Sequence, residues 1–434
     1  MADWILFTFD GLVCCHFIYA LDQHVKRETS LASSEMCTYP PKSFTFQEKN
    51  VILLLQTFFN MLNRRTIRIK IMQSLFAYNQ CKDADLLLAH DLIEERFQPD
   101  LNSMEVQDKE SLRSQKKSAL QLFDRKMKGE KTKPDNPVIT KAVDDAIHLF
   151  EKSIKKDQTY LSKNILLEME RLASTYHSTI SLILALADQA AADKKNDHGN
   201  FIKNGLVKAW RQNDELKKAV LKEGAGWEGR MDKVRGWFRD VLKEDEAYKK
   251  YISEEDLSEE VEKAFIKHLS RKVILGSGTI NDYFEEQNIR WAEDKDIIKS
   301  MMDKTIKSYA DGKITLQKVS LNWDDDQEFI EKLFNSAIDL DPEYRQLIAK
   351  NTRNWEVDRL PLTDRVILEM AISEMIHFPN IPVKVTINEY IELSKDYSTP
   401  KSRQFINGIL DVISKTMKES GAVKKSGRGL LDNK

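Results

Sequence analysis

Cysteine is scarce in this sequence, with four copies at Cys14, Cys15, Cys37 and Cys81 among 434 residues. They have neither the paired spacing of a zinc site nor the density of a disulfide scaffold. Glycine and proline are also few, 15 and 10 copies, which argues against a disordered or fibrous chain. We therefore expect a helix-rich globular protein of a reducing compartment, and we place it in the cytoplasm.

An excess of one charge is lacking too, because the formal net charge is only -2. Any surface that attracts nucleic acid must therefore be local. The catalytic and metal signatures HExxH, GxSxG and a Cys/His cluster are also missing. The "GAGWEG" of residues 224–229 has the spacing of a dinucleotide loop, but a helix-like "NDELKKAVLKE" precedes it where that site needs a strand. We predict a loop between helices, no enzyme, no metal and no cofactor.

The first sixty residues are atypical. The run "WILFTFDGLVCCHFIYAL" is long enough to span a bilayer, but Asp10 interrupts it and no basic residue precedes it. We therefore predict no membrane segment. Met61 stands directly before a basic, periodic helix, so we expect residues 1–60 to be an extension upstream of the natural start.

Helical periodicity dominates the remainder. The spacing of one helix face recurs at Ile67, Ile71, Leu75 and Tyr78, and a second helix is expected through Leu87 to Ile93, ending near Pro99. We expect loops at "KMKGEKTKPDNP" and "DKKNDHGN" and a new helical run from about Val138. The run "LPLTDRVILEMAISEMIHF" is apolar on nearly all sides, which predicts a central helix. No strand pattern is present, so the predicted fold class is all-α.

The stretch "VKVTINEYIELSKDYSTPKSRQFINGILD", residues 383–411, predicts two helices with unusual polar positions. Thr386 followed by Glu389 predicts a capping box at the start of the first helix. Gly408 costs about 1 kcal/mol inside a helix, which suggests that another backbone passes close by. Asn388 and Asn407 are expected to bond to exposed backbone or to each other. We favour a structural role for all of these residues over direct ligand contact.

Three segments in order carry a family resemblance: "NRRTIRIKIMQSLFAYNQ", "LTDRVILEMAISEM" and the 383–411 stretch. They closely resemble the NusB family of bacterial transcription antitermination factors. The resemblance implies a NusB-like fold of two helical bundles with a large helical insertion. The implied domains are NusB-like helices at 61–99, an insertion at 100–325 and a NusB-like core at 326–418. The terminal "KKSGRGLLDNK" itself predicts disorder, so we expect a disordered tail at 419–434.

The resemblance also implies a function. Members of this family bind boxA-type RNA together with NusE, a protein of the small ribosomal subunit, and help the transcription elongation complex to read through terminators. They are not catalytic and need no cofactor. The implied RNA-binding positions are Arg64, Arg65, Arg68, Phe76, Lys401, Ser402, Arg403 and Phe405. The partner-facing helix would begin at Asp364.

Several alternatives stay open. Arg68 lies in the apolar arc of its helix, so a salt bridge to a core carboxylate is an alternative to a phosphate contact. For Phe76 and Phe405 the alternative to base stacking is core packing. The segment "GWEGRMDKVRGWF" offers a further RNA surface or, as we prefer, packing between insertion helices.

Two other functions compete with this one. A similar helical domain precedes the catalytic domain of some ribosomal RNA cytosine methyltransferases, but that architecture needs an α/β domain downstream. The other alternative is a helical scaffold that has lost RNA binding.

Overall fold

The computed structural model describes residues 64–433 apart from 101, 103–105, 131–135, 256, 321 and 352–359. The predictions made for residues 1–60 lie outside this range. The described residues divide into two compact units. The central unit is Leu167–Leu321, and the terminal unit combines the residues up to Leu166 with those from Asn322 onwards.

Helices build both units. The first three are α1 (Arg64–Arg96), α2 (Lys109–Met127) and α3 (Pro137–Ala192). The central unit continues with α4 (Gly199–Ile202), α5 (Gly205–Gln212), α6 (Asp214–Glu223), α7 (Met231–Trp237), α8 (Glu246–Ile252), α9 (Glu259–His268), α10 (Gly278–Gln287) and α11 (Trp291–Lys307). The terminal unit resumes with α12 (Trp323–Ile338), α13 (Pro342–Asn351), α14 (Leu362–His377), α15 (Val383–Tyr397) and α16 (Pro400–Glu419).

Pairing of extended backbone is limited, in the described ranges, to one isolated antiparallel bridge between Ala310 and Lys313. The predicted all-α fold class is therefore confirmed. None of the described helices combines the length and the apolar composition needed to cross a membrane.

Helix α1 is one continuous helix, so the prediction of two helices in this segment was wrong. The polar residues between Tyr78 and Leu87 include no glycine or proline, and they simply continue the helix. The C-terminal half of α1 packs against α2 and the first half of α3. Their shared core consists of Ala89, Ile93, Phe97, Ala119, Leu122, Phe123, Ile139, Ala142, Val143, Ala146 and Phe150. The predicted insertion, 100–325, is thus divided between the two units.

Helix α14 is the centre of the terminal unit, as its apolar sequence predicted. Its residues from Val366 to Met375 are buried apart from Glu369, which is half-buried. Helices α1, α12, α15 and α16 all pack against it. The helix ends at His377, and the "PNIP" turn follows after Phe378.

In the central unit, "GAGWEG" joins α6 to a short 3₁₀ turn at Glu228–Arg230, as predicted for a loop between helices. Trp227 is buried, and its ring contacts Trp237 with centroids 5.4 Å apart. The Trp227 indole N–H donates to the Ser178 carbonyl at 2.9 Å. These two tryptophans of "GWEGRMDKVRGWF" therefore pack the helices together, which was the preferred alternative.

The C-terminal tail is ordered as far as Asn433, unlike the disordered tail that we predicted from residue 419. Residues Gly427–Asn433 form a 3₁₀ helix. The Ser426 N–H donates to the Pro379 carbonyl at 3.0 Å, and the Lys425 ammonium donates to the Phe378 carbonyl at 3.0 Å. These bonds hold the tail against the turn between α14 and α15.

The close backbone approach predicted at Gly408 is found at Gly429 instead. A Cβ at Gly408 would meet nothing within 4 Å, and the residue is exposed. A Cβ at Gly429 would lie 1.9 Å from the Pro379 carbonyl oxygen. The inference from Gly408 was wrong because helix propensity alone does not show which glycine is crowded.

The two glycines give a matched pair of substitutions. Gly408→Ala should raise thermal stability, by up to about 1 kcal/mol, because alanine is the better helix former at an open site. Gly429→Ala should displace the tail and speed hydrogen exchange at the Ser426 amide. Melting curves and amide exchange on both variants test this. Unchanged Ser426 protection in Gly429→Ala would contradict the docking of the tail.

Candidate nucleic-acid interface

The buried anchor of this region is an ion pair between Arg68 of α1 and Glu374 of α14. Arg68 is 3% exposed and Glu374 is fully buried. The Arg68 Nε donates to Glu374 Oε2 at 2.7 Å and its Nη2 donates to Oε1 at 2.8 Å. This bidentate geometry is the strong form of an arginine–carboxylate contact. The structure therefore supports the core salt bridge for Arg68, and we withdraw the phosphate contact at this residue.

Two side chains of helix α15 donate further hydrogen bonds to the Glu374 carboxylate. Thr386 Oγ1 donates to Glu374 Oε1 at 2.9 Å and the Tyr390 hydroxyl donates to Oε2 at 3.1 Å. Burial would lower the pKa of Arg68, but the charge of Glu374 and its hydrogen bonds outweigh burial and raise it. Burial raises the pKa of Tyr390 well above its ordinary value, and the charge of Glu374 adds to this. Both groups therefore stay protonated donors to one carboxylate.

The predicted capping box is absent. Helix α15 begins at Val383 with Pro382 at its N-cap, so Thr386 lies inside the first turns rather than before them. The preceding proline sets the helix start, and the Thr386 hydroxyl donates its hydrogen bond to Glu374. Glu389 also has a structural role, but a different one: it pairs with Arg65 of α1. Arg65 Nε and Nη2 donate to its two carboxylate oxygens at 3.0 Å each.

The other two arginines near the start of α1 differ in exposure from Arg68. The Arg65 side chain is 33% exposed, and its Nη1 also lies 4.0 Å from Glu392 Oε2. The Arg64 Nε lies 3.8 Å from Asp326 Oδ1, and its guanidinium stacks 4.4 Å from the centre of the Phe329 ring. Both side chains are thus half-buried and already face carboxylates, although each keeps part of its surface in solvent.

The start of α16 carries the more exposed cations. Thr399 caps the helix and Pro400 takes its first position, as the sequence predicted. Lys401 and Arg403 are exposed. Ser402 is buried instead, and its hydroxyl lies 2.9 Å from the Thr399 hydroxyl. We therefore correct Ser402 from an RNA contact to a residue of the helix start.

Glu392 links the two predicted basic segments. Its pKa is lowered first by the hydrogen bond from Lys395, with further contributions from the charges of Arg65 and Arg403. Arg65 of α1 and Arg403 of α16 therefore lie close enough to act on one carboxylate of α15. The sequence predicted both arginines but missed the carboxylate on which both act.

The predicted stacking residues are half-buried. Phe76 lies 11 residues after Arg65, close to three full turns, so it shares that side of α1 about 16 Å further along. Phe405 lies one turn after Lys401 and is also half-buried. Each ring is therefore only partly used by packing. Asn388 and Asn407 are exposed, which does not fit the expected role for them in specifying the fold.

Asp364 does not lie on an exposed surface. It is 1% exposed in the first turn of α14, and the Ser398 hydroxyl donates to its Oδ1. A carboxylate in the first turn stabilises the N-terminus of a helix, which carries a partial positive charge. We therefore correct Asp364 from a partner contact to a residue that joins α14 to the start of α16. The helix itself begins two residues earlier, at Leu362.

Glu374 is the main residue of this region that sequence reasoning missed. It stands in "LEMAISEMIHF", a nearly continuous apolar run on a helix that was predicted to be central. A buried carboxylate needs a cation or several donors. The signal was therefore present, although the sequence does not show which of the many arginines supplies the partner.

Comparison with known proteins gives a match over the C-terminal part of the chain. Residues 293–415 match the model of the NusB family. No solved structure matches the chain. Among the part of the chain that the structure describes, no group of three or more His, Cys, Asp or Glu side chains could hold a metal ion.

Relatives with the name "Transcription antitermination protein NusB" match shorter segments. The protein of Chloroherpeton thalassium is 46% identical over 76 residues, which is 18% of this chain and 36% of the relative. That of Salinibacter ruber is 41% identical over 75 residues, 17% of this chain and 47% of the relative. That of Natranaerobius thermophilus is 45% identical over 64 residues, 15% of this chain and 46% of the relative. The match thus spans between about a third and a half of each relative.

The buried pair predicts a graded loss of stability. Arg68→Met leaves Glu374 buried without its cation and should cost about 3 to 5 kcal/mol in the free energy of unfolding. Tyr390→Phe removes one bond to the charge and should cost about 1.5 to 3 kcal/mol. Arg65→Met, the matched control on the same helix, should cost no more than about 1 kcal/mol because its pair is partly exposed. Urea denaturation measures all three. An equal cost for Arg65→Met and Arg68→Met would contradict this ranking.

Proposed function

Because residues 293–415 match the NusB family model, we propose that the chain is a cytoplasmic transcription antitermination factor that binds boxA-type RNA together with NusE. In this proposal the chain acts in the transcription elongation complex through binding alone. The RNA is single-stranded, and its recognition needs cations for phosphates and flat surfaces for bases.

The observation that carries the proposal is the start of α16. It lies within the segment that matches the family, and it presents Lys401 and Arg403 to solvent with the half-buried Phe405 ring one turn after Lys401. An ammonium, a guanidinium and an aromatic ring are the groups that hold single-stranded RNA. We propose this segment as the primary RNA contact.

Arg64, Arg65 and Phe76 of α1 form the proposed second contact. The Arg65 side chain keeps about a third of its surface exposed, but its guanidinium is bonded to Glu389. A phosphate must share the guanidinium with that carboxylate or replace it. The net gain in RNA-binding free energy is therefore smaller. We therefore expect this contact to contribute less than the start of α16.

NusE remains a proposed partner without a contact residue on this chain. Asp364 is buried, and the rest of α14 offers little surface to a second protein. We therefore propose that another exposed surface of the terminal unit contacts NusE. Binding of NusE to the full chain, measured with and without RNA, tests this part separately.

A helical scaffold without RNA binding is the second candidate function. It is favoured by one observation: Arg64, Arg65 and Arg68 all face carboxylates of the same unit. The experiment on Lys401 and Arg403 separates the two functions.

The double variant Lys401→Ala/Arg403→Ala should weaken binding to a boxA-type RNA. It should also reduce the slope of log affinity against log salt by about 1.4, because each phosphate contact on a single strand contributes about 0.7. Fluorescence anisotropy over a salt series measures both quantities. The control is Lys415→Ala/Lys418→Ala, which removes two lysines from the other end of the same helix.

Two outcomes would count against the proposal. Affinity that is equal in the double variant and the control, with normal helicity in both, would remove the start of α16 from the RNA site. No measurable binding by the unaltered chain, alone or with NusE, would favour the scaffold.

A substitution at Glu392 should strengthen RNA binding instead of weakening it. Glu392→Gln removes a negative charge that acts on Arg65 and Arg403, so RNA should bind more tightly, by about two- to fivefold at low salt. The gain should disappear as salt rises, because the interaction is exposed and screened. Glu419→Gln, at the far end of α16, is the matched control. Weaker binding in Glu392→Gln would mean that this carboxylate orients the arginines rather than competing with phosphate.

A further inference from the structure

A second basic surface lies on the middle of α3, within the terminal unit. Lys152, Lys155, Lys156 and Lys163 are all exposed there. At 100° per residue they fall within one arc of about 100°, on the side opposite to the partly buried Ile154, Gln158 and Leu161. We call this surface the α3 stripe. Gln158 donates to Asn335 of α12 at 3.1 Å, which fixes the inner side of the helix against the unit.

Three of the four lysines in the α3 stripe are not balanced by carboxylates. Between 152 and 163 the only acidic residue is Asp157, which points to the partly buried side, while Glu151 lies at the edge of the arc. Lys152, Lys155 and Lys163 make no ion pair with any residue that the structure describes. A concentration of one charge therefore persists in a chain whose overall charge is near zero.

Charges one or two turns earlier on α3 behave differently. The Lys126 ammonium lies 2.7 Å from Asp144 Oδ1, and Arg96 lies 3.7 Å from Asp145 Oδ2. The charged side chains of α1, α2 and the start of α3 thus form ion pairs with one another. The stripe begins where these pairs stop.

An exposed aromatic ring completes the surface. Tyr160 is 65% exposed, and its position on the helix is adjacent to Lys156 and Lys163, four residues before it and three after it. A large ring left in solvent between two ammonium groups resembles the base-stacking and phosphate-binding combination of single-strand binders. An acidic protein segment would use the lysines but would have less use for the ring.

We propose that the α3 stripe binds single-stranded nucleic acid, with Lys152, Lys155, Lys156 and Lys163 on phosphates and Tyr160 stacked on a base. In the context of the proposed function, on which this step rests, the stripe holds RNA that flanks the boxA-type segment. The four lysines extend over about 16 Å of helix, which is the length of a few nucleotides.

The experiment uses the full chain and three probes. One is the short boxA-type RNA, the second is the same RNA with single-stranded flanks, and the third is polyuridine. The variants are Lys152→Gln/Lys155→Gln/Lys163→Gln and Tyr160→Ala. We expect both variants to lose the extra affinity that the flanks provide and to leave the short RNA unchanged. The lysine variant should lower the salt slope by about 2 on polyuridine.

Tyr160 separates stacking from simple attraction of charge. Tyr160→Ala should weaken polyuridine binding by about tenfold, in the range of one lost base–aromatic stack, with its salt slope unchanged. Tyr160→Trp should restore the affinity. The control Lys208→Gln/Lys218→Gln/Lys222→Gln changes the charge equally at exposed lysines of α5 and α6 and should change neither quantity.

The outcomes are distinguishable from failure of the proposed function. If the unaltered chain binds polyuridine through the stripe but ignores the boxA-type sequence, the stripe stands and the proposed function fails. Equal polyuridine affinity in the stripe variants and the control would overturn the inference. Polyglutamate binding that depends on the same lysines but not on Tyr160, without polyuridine binding, would assign the stripe to an acidic protein instead.

Discussion

The terminal unit depends on one buried ion pair. Glu374 is fully buried on a helix surrounded by others, and an unpaired carboxylate there would cost several kcal/mol. Arg68 from α1 and two hydroxyl groups from α15 satisfy it together. Because a bidentate guanidinium contact fixes both distance and plane, these bonds set how α1, α14 and α15 meet. This pair thus joins helices whose contacting residues are 306 positions apart in the sequence.

The cationic side chains around this pair differ in how deeply they are buried. Arg68 is buried and paired with Glu374, and Arg65 is paired with Glu389 but partly exposed to solvent. Lys401 and Arg403 are exposed. The residue types alone make these side chains look equivalent. Their partners make them different, since a cation already bonded to a carboxylate gains less from a phosphate. The proposed primary RNA contact is therefore made by the cations that packing leaves most exposed, Lys401 and Arg403.

The sequence predicts the parts of this arrangement that depend on local patterns. An apolar run on all sides predicted the central helix α14, and Thr399 with Pro400 predicted the start of α16. It fails where tertiary contacts decide. Thr386 and Glu389 have the spacing of a capping box, but Pro382 starts the helix earlier and both side chains bond to other helices. Gly429 is crowded by the Pro379 carbonyl, and that contact cannot be read from "SGRGLL".

The α3 stripe shows how a nearly neutral chain can still favour a polyanion. Lys152 and Lys163 are about 16 Å apart along the helix, roughly twice the screening length at physiological salt, about 8 Å. A small anion at one end of the stripe therefore does not interact with all four lysines and gains less. A strand that spans the stripe contacts all of them in turn and releases counterions at each contact. The spacing of the lysines, more than their number, thus selects a chain of phosphates over a single phosphate.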